Sequence, residues 1–274
     1  MTRTQRCTRP EGRALDAMRP VQLELNAQRH AEGSTLIRMG GTHVLVAVSV
    51  ENGVPPFKRD SGSGWLTAEY AMLPRATHTR SRRDISRGKV PGRSAEIQRL
   101  IGRSLRAVVD FEALGERTLT VDCDVLEADG GTRTAAITGA YVAVAQAAAS
   151  LLLQGDIQRW PLTHQVAAIS VGLVDDEARL DLEFVEDQAA QVDLNVVGTG
   201  DGELVEVQGT AEGRPFRRSE LDTMLELAVT GIDQLLKAQR RALEPVMEEV
   251  RELNARHRRT APPKDEGSLW GPPG

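Results

Sequence analysis

Residues 128–136 read ADGGTRTAA. Two glycines turn the chain, and Thr132 and Arg133 open a run of helix formers. Glycine lets backbone N–H groups approach a ligand closely, and a helix start offers free N–H groups at the positive end of its dipole. Arg133 adds a forked donor suited to a phosphate or carboxylate. Gly131, Thr132 and Arg133 therefore make a candidate anion cradle. It is not a P-loop, because the Lys-Ser/Thr ending is absent. Arg93 stands just before Ser94, where a second helix is expected to begin, so two helix starts could converge on one small anion. A third group lies in DLEFVEDQAAQVDLNVV, residues 181–197. If the QAAQ segment joins two strands of a hairpin, Asp187 and Asp193 lie near the same end. Two hard oxygen ligands side by side suit Mg²⁺ that keeps waters and meets substrate phosphates. Each group also has a plainer reading: a tight turn with a cap, a solvated arginine, and acidic turn residues. Asp181 and Glu183 alternate with Leu182 and Phe184 and read as solvent-facing. Taken together, a phosphate pocket and a carboxylate pair are what phosphoryl transfer requires.

A basic segment lies close by. From Arg75 to Arg93 the chain has six Arg and one Lys against one Asp, while its overall net charge is −5. The segment sums to about +6, so the remainder carries about −11. A local basic patch on an acidic protein suggests a specific polyanion rather than general coating of nucleic acid.

These groups need elements to hold them. Strands are expected at 21–25, 34–39, 42–50, 65–74 and 117–129, with Gly40 and Gly41 as a hairpin turn. A helix from Ser94 carries Ile97, Leu100, Ile101, Leu105, Val108 and Val109 on one face, with Gly115 beyond its end. An Ala-rich helix runs to about Leu153. A linker over 155–165 is followed by strands at 166–174, 178–186, 192–198 and 203–208, turning at Asp175 and Asp176 and again at Asp201 and Gly202. A long helix then starts at Ser219, with Asp222 three residues on as a capping-box-like pair. Each half is strands followed by helix, which argues an α+β fold of two similar lobes. The expected division is 13–154 for the first lobe, 155–245 for the second, and 246–274 for a helix end and a disordered tail rich in Pro and Gly.

Composition excludes other classes. The uncharged stretch 135–153 nearly reaches membrane-spanning length, but it is mostly Ala with Thr138, Gln146 and Ser150, and reads as a buried core helix. The start, MTRTQRCTRPEGR, lacks the apolar core of a secretory signal, so a cytoplasmic protein is expected. Cys7 and Cys123 do not read as a disulfide, and the five His are scattered without zinc spacing.

Four segments in order, GWLTAEYAMLPRATHTR, GRSAEIQRLIGRSLRA, DCDVLEADGGTRTAAITGA and VEDQAAQVDLNVV…EVQGTAEG, closely resemble the bacterial ribonuclease PH family. The resemblance runs from about Arg13 to Leu236. It implies two lobes of the ribosomal protein S5 domain 2-like type and a phosphate-dependent 3′→5′ exoribonuclease, or tRNA nucleotidyltransferase. Such an enzyme trims tRNA precursors and other RNAs and releases nucleoside 5′-diphosphates reversibly. It also implies a homohexamer built as a trimer of dimers. By motif, Arg93, Gly131, Thr132 and Arg133 would bind inorganic phosphate as co-substrate. Asp187 and Asp193 would be the catalytic and metal-binding pair for Mg²⁺ or Mn²⁺. Arg75, Arg80 and Arg83 would serve RNA binding and ring assembly. Arg82 and Arg87 are not covered and are expected to be solvated or to support the same field. Which carboxylate acts as general acid, and which only as a metal ligand, stays open. The other readings weighed are an inactive RNA-binding ring and a nucleoside phosphorylase; both Arg sites and both Asp disfavour the first, and the basic segment disfavours the second.

Overall fold

Period-two alternation of Val, Leu and Ile with polar residues builds the first sheet. The computed structural model describes residue 9, residues 12–83, residue 88, and residues 90–212 and 214–260. Strands β1 (Val21–Leu25), β2 (Gly33–Met39) and β3 (Thr42–Asn52) form an antiparallel meander. β4 (Trp65–Met72) leads through α1 (Gly92–Arg106) and α2 (Phe111–Leu114) to β5 (Arg117–Glu127). β5 pairs antiparallel with β3 and parallel with β4, giving the order β1-β2-β3-β5-β4. A parallel pair needs a crossover of this kind, and the helices supply it. Leu119, Val121, Cys123 and Val125 of β5 all point into the core. Burial pushes the Cys123 thiol well up, so it serves as a small core hydrophobe.

The Ala-rich run forms α3 (Thr132–Gln154), ended by Gly155 at φ 82°. It is long and apolar enough to cross a membrane, but 89% of its apolar window is buried inside the fold. Its small side chains permit close backbone approach. A Cβ at Gly33 would overlap the Ala143 carbonyl oxygen, and one at Gly139 would fall 2.8 Å from Ile37. The opposite side of α3 meets a second sheet of β6 (Val166–Val174), β7 (Glu177–Leu180), β8 (Val192–Thr199) and β9 (Leu204–Ala211), all antiparallel in the order β7-β6-β8-β9. There Thr138 Oγ1 donates to Ala168 O at 3.3 Å and accepts from Ala168 N at 3.1 Å. After β7 comes α4 (Phe184–Ala189), and β9 is followed by the long α5 (Arg218–Thr260), which covers β6 and β7 and also packs on α3.

Three expectations change. The strand expected over 178–186 stops at Leu180, and no hairpin joins β7 to β8, because β6 lies between them. The cause is Asp181, which sits at φ 57° and is fully buried, not solvent-facing. Its carboxylate accepts from Arg19: Oδ1 from Nη2 at 2.6 Å, and Oδ2 from Nε at 2.9 Å and from the backbone N at 2.8 Å. Glu186 Oε2 then accepts from Glu183 N at 3.1 Å and starts α4 where strand was expected. The first crossover helix ends at Arg106, so Val108 and Val109 are buried beyond it and Gly115 closes α2 instead. The cap of α5 is also displaced: Glu220 Oε2 accepts from Arg217 N at 2.6 Å, while Ser219 and Asp222 lie inside the helix. Cys7, Arg87 and residues 261–274 lie outside the described residues.

Candidate active site

The two sheets and their helices enclose a cavity of about 960 Å³. Arg93, Gly131, Thr132, Arg133, Asp187 and Asp193 all line it. The anion cradle and the carboxylate pair, 54 residues or more apart in the chain, therefore face one another across one space.

The cradle is a rigid turn. Gly130 (φ 76°) and Gly131 (φ 66°) occupy the left-handed region that favours glycine. A Cβ at Gly130 would lie 2.5 Å from Leu182 O and 2.9 Å from Phe184 N, so this turn touches the segment leading into α4. Arg19 donates to the carbonyls of Asp129 at 2.5 Å and Gly130 at 3.4 Å while gripping Asp181. Thr42 Oγ1 donates to Gly130 O at 2.6 Å and accepts from Asp129 N at 2.9 Å. With its carbonyls held from behind, the turn leaves the N–H groups at the start of α3 toward the cavity. Behind Thr132, buried Tyr70 donates from Oη to Thr132 Oγ1 at 2.9 Å.

Arg133 is held in place. Its Nη1 donates to Gln208 Oε1 at 2.7 Å and to Glu96 Oε1 at 3.3 Å, and Gln208 Nε2 donates to Glu96 Oε1 at 2.9 Å. This closed triangle joins α3, α1 and β9. Arg93, exposed near the start of α1, lies near enough to act electrostatically on Asp187, as does Arg133.

Asp193 stands on β8 directly opposite Thr210 of β9, and Asn195 stands opposite Gln208, so all four share the cavity face of the sheet. Asn195 Nδ2 donates to Asp193 Oδ2 at 3.3 Å. Burial, helped by the charge of Asp187, pushes the Asp193 carboxyl up to about 6, with Arg133 and Asn195 opposing. Asp187 comes from α4. It is exposed to the cavity, yet surrounding protein partly desolvates it and raises its pKa; Arg93 and Arg133 oppose that rise, and Glu212 adds to it. The charge of Asp187 disfavours that of buried Asp193, a strain that a cation between them would relieve. Among the described residues no group of three or more His, Cys, Asp or Glu could cage a metal. The pair thus fits an ion that keeps waters and shares substrate oxygens.

A buried charge network holds α4. Glu186, fully buried, pairs with Arg9 at 3.1 Å, Arg179 at 3.2 Å and Arg13 at 3.3 Å, and Arg13 also pairs with Glu183 at 2.7 Å. Removing one member of such a network leaves an uncompensated buried charge, so it fixes the helix that presents Asp187.

Arg75, Arg80 and Arg83 do not line the cavity. They are exposed on the loop after β4, whose Thr77, His78 and Thr79 form part of the cavity wall. Arg75 Nη1 donates to His78 O at 3.1 Å, and Arg83 acts electrostatically on Asp124 of β5. Sequence reasoning missed Arg19, Tyr70, Glu96, Asn195 and Gln208. Two of these left a signal: Asn195 is two residues from Asp193 on the same strand face, and Glu96 is three from Arg93 on the same helix.

A glycine turn at a helix start, two arginines and a carboxylate pair thus face one cavity on a two-lobed α+β scaffold. The chain belongs to the 3′ exoribonuclease family: domain 1 of that family matches residues 17–149 and domain 2 matches residues 164–231. It is 56% identical over 242 residues to ribonuclease PH of Moorella thermoacetica, covering 88% of this chain and 97% of that one. It is 57% identical over 236 residues to ribonuclease PH of Maricaulis maris, covering 86% and 99%. Among solved structures the fold is similar to rice (Oryza sativa) Rrp46, with a TM-score of 0.71 at 20% identity over 86% of this chain and all of that one. It is also similar to an Archaeoglobus fulgidus exosome chain solved with RNA bound to the active site, with a TM-score of 0.70 at 22% identity over 84% and 91%.

Proposed function

We infer that the chain is a phosphate-dependent 3′→5′ exoribonuclease acting on tRNA. The observation that carries this is the single cavity in which Arg93, the start of α3 and the pair Asp187 and Asp193 meet. Inorganic phosphate is clamped by Arg93, Arg133 and the N–H groups following Gly131. One of its oxygens attacks the last phosphodiester in line. The bond from that phosphorus to the 3′ oxygen of the preceding nucleotide breaks, releasing a nucleoside 5′-diphosphate and an RNA shorter by one residue. Phosphate near neutral pH is already partly dianionic, so no strong protein base is needed. The departing 3′ oxygen needs a proton, and one carboxyl of the Asp187 and Asp193 pair would hand it over. The reaction exchanges one phosphate ester linkage for another of similar energy and runs in reverse when diphosphate is plentiful.

Asp187 and Asp193 would hold Mg²⁺ or Mn²⁺, which when bound neutralises charge on the transferring phosphoryl group. Arg75, Arg80 and Arg83 would contact RNA backbone, the boundary between subunits, or both. The assembly proposed is a homohexamer made as a trimer of dimers, in the cytoplasm, trimming tRNA precursor 3′ ends and other RNAs. Close likeness to ribonuclease PH relatives over both domains supports the assembly and the substrate.

The test is a short RNA with a tRNA-like 3′ end, incubated with and without phosphate. Nucleoside diphosphates should form only with phosphate. Equal decay without it, or release of monophosphates, would overturn phosphorolysis. Light scattering on the same sample reports the ring.

A further inference from the structure

The chain has nine aromatic residues, four Phe, two Tyr and three Trp, and most of those described are committed to packing. Tyr70 and Tyr141 are buried; Phe57, itself 69% exposed, packs edge-on against Trp65 with ring centroids 5.1 Å apart, and Trp65 stacks on Phe111 at 6.2 Å, all away from the active-site cavity. Phe184 differs. It is 38% exposed, opens α4 three residues before Asp187, and lines the active-site cavity. His78 of the basic loop, which also lines the cavity, lies beside it with ring centroids 6.2 Å apart and planes inclined at 56°. The position of Phe184 is tied to the catalytic turn: its N–H donates to Asp129 Oδ1 at 3.4 Å, and its backbone leaves no room for a Cβ on Gly130. The phenyl face therefore keeps a fixed place relative to both the anion cradle and the carboxylates.

We propose that Phe184, with His78 beside it, is the stacking platform for the base of the 3′-terminal nucleotide, the one about to be removed. This rests on the exoribonuclease reading. The scissile phosphodiester must lie between the cradle and the carboxylates, and the outgoing nucleoside must extend from it along the cavity wall. A phenyl ring one helical turn from Asp187 is within reach of that base. Stacking accepts every base, because each has a π face, and suits an enzyme that must remove whichever nucleotide comes next. The exposed arginines would hold backbone, and this pair would hold the end.

The test uses the full chain and a short single-stranded RNA carrying 2-aminopurine at its 3′ end, without phosphate so that no turnover occurs. Binding to the unmutated protein should quench the probe. Phe184→Ala should lose the quench and weaken RNA binding about ten-fold, as expected for one base–aromatic stack. Phe184→Trp should restore both. In turnover, Phe184→Ala should raise the KM for RNA while the KM for phosphate stays unchanged, which a general loss of fold would not produce. An unchanged quench in Phe184→Ala, or a Phe184-dependent quench only when the probe occupies the penultimate position, overturns the assignment. Absence of both RNA binding and diphosphate release in the unmutated protein would overturn the exoribonuclease reading with it.

Discussion

Replacing Asp193 with Asn should stabilise the protein while removing its activity. The carboxyl of Asp193 is raised from 3.8 to about 6, first by burial and then by Asp187. A rise of about two units corresponds to about 3 kcal/mol at pH values above both pKa values. The native state binds the proton more tightly than the unfolded chain, so between about pH 4 and 6 it holds more protons. Stability therefore falls as pH rises through that window, and the full penalty is present at pH 7. The substituted amide would keep the shape, carry no charge, and still accept from Asn195 Nδ2 through its oxygen. For a chain of this size 1 kcal/mol moves Tm by about 2–4 °C, so the Asp193→Asn variant should melt roughly 6–12 °C higher at pH 7. The gain should vanish below about pH 3, where the carboxyl is protonated in both states. The assay is a thermal melt of both proteins across pH in EDTA, because a bound cation would offset the penalty by mass action. Equal melting temperatures at pH 7, or a gain that does not change with pH, would refute the view of Asp193 as a strained carboxylate. Phosphorolysis retained by the variant at saturating Mg²⁺ would remove it from the chemistry.

Arg93→Ala should raise the phosphate concentration needed for half-maximal rate far more than it weakens RNA binding; a filter-binding titration beside phosphate kinetics separates the two. Gln208→Ala frees Arg133 from its 2.7 Å bond and should raise the phosphate KM by about five-fold, the worth of one hydrogen bond, with RNA affinity unchanged. Replacing Arg75, Arg80 and Arg83 together with Ala should flatten the slope of log RNA affinity against log salt by about two units, at roughly 0.7 per phosphate contact. If light scattering instead shows smaller assemblies whose salt slope is unchanged, these arginines hold subunits together and do not touch RNA.

Much of the first sheet was legible because one face of its central strands β2, β3 and β5 is buried. The alternation in β2, β3 and β5 is a direct print of the core, and the uncharged, Ala-rich run of α3 with its few Thr, Gln and Ser read as an interior helix. That Gly131 and Arg133 stand at one helix start and Arg93 at another was legible because helix starts and glycine pairs are local signals. The closeness of Asp187 and Asp193 was anticipated through the wrong construction. Residues 181–184 alternate like a strand, yet Asp181 is buried against Arg19, 162 positions away, and Glu186 against Arg9, Arg13 and Arg179. Such long-range ion pairs leave no periodicity, so α4 was hidden. The same holds for Gln208, whose importance comes from a triangle of three distant elements.

α3 belongs to both halves of the molecule at once. One side is fitted to β2 and β3 so closely that Gly33 and Gly139 admit no side chain, and the other is bonded through Thr138 to β6 and, through its carbonyl, to Gln239 of α5 at 3.0 Å. A gene cut after Gln154 would therefore not yield two independent folding units. The upstream fragment would carry a bare apolar helix face, and the downstream fragment an uncovered sheet, each prone to self-association. Chimaeras between relatives that swap only the first half would need to carry over the surfaces of β6 and α5 that receive this helix. Recombination points that respect the fold must keep both partners of α3 from the same parent.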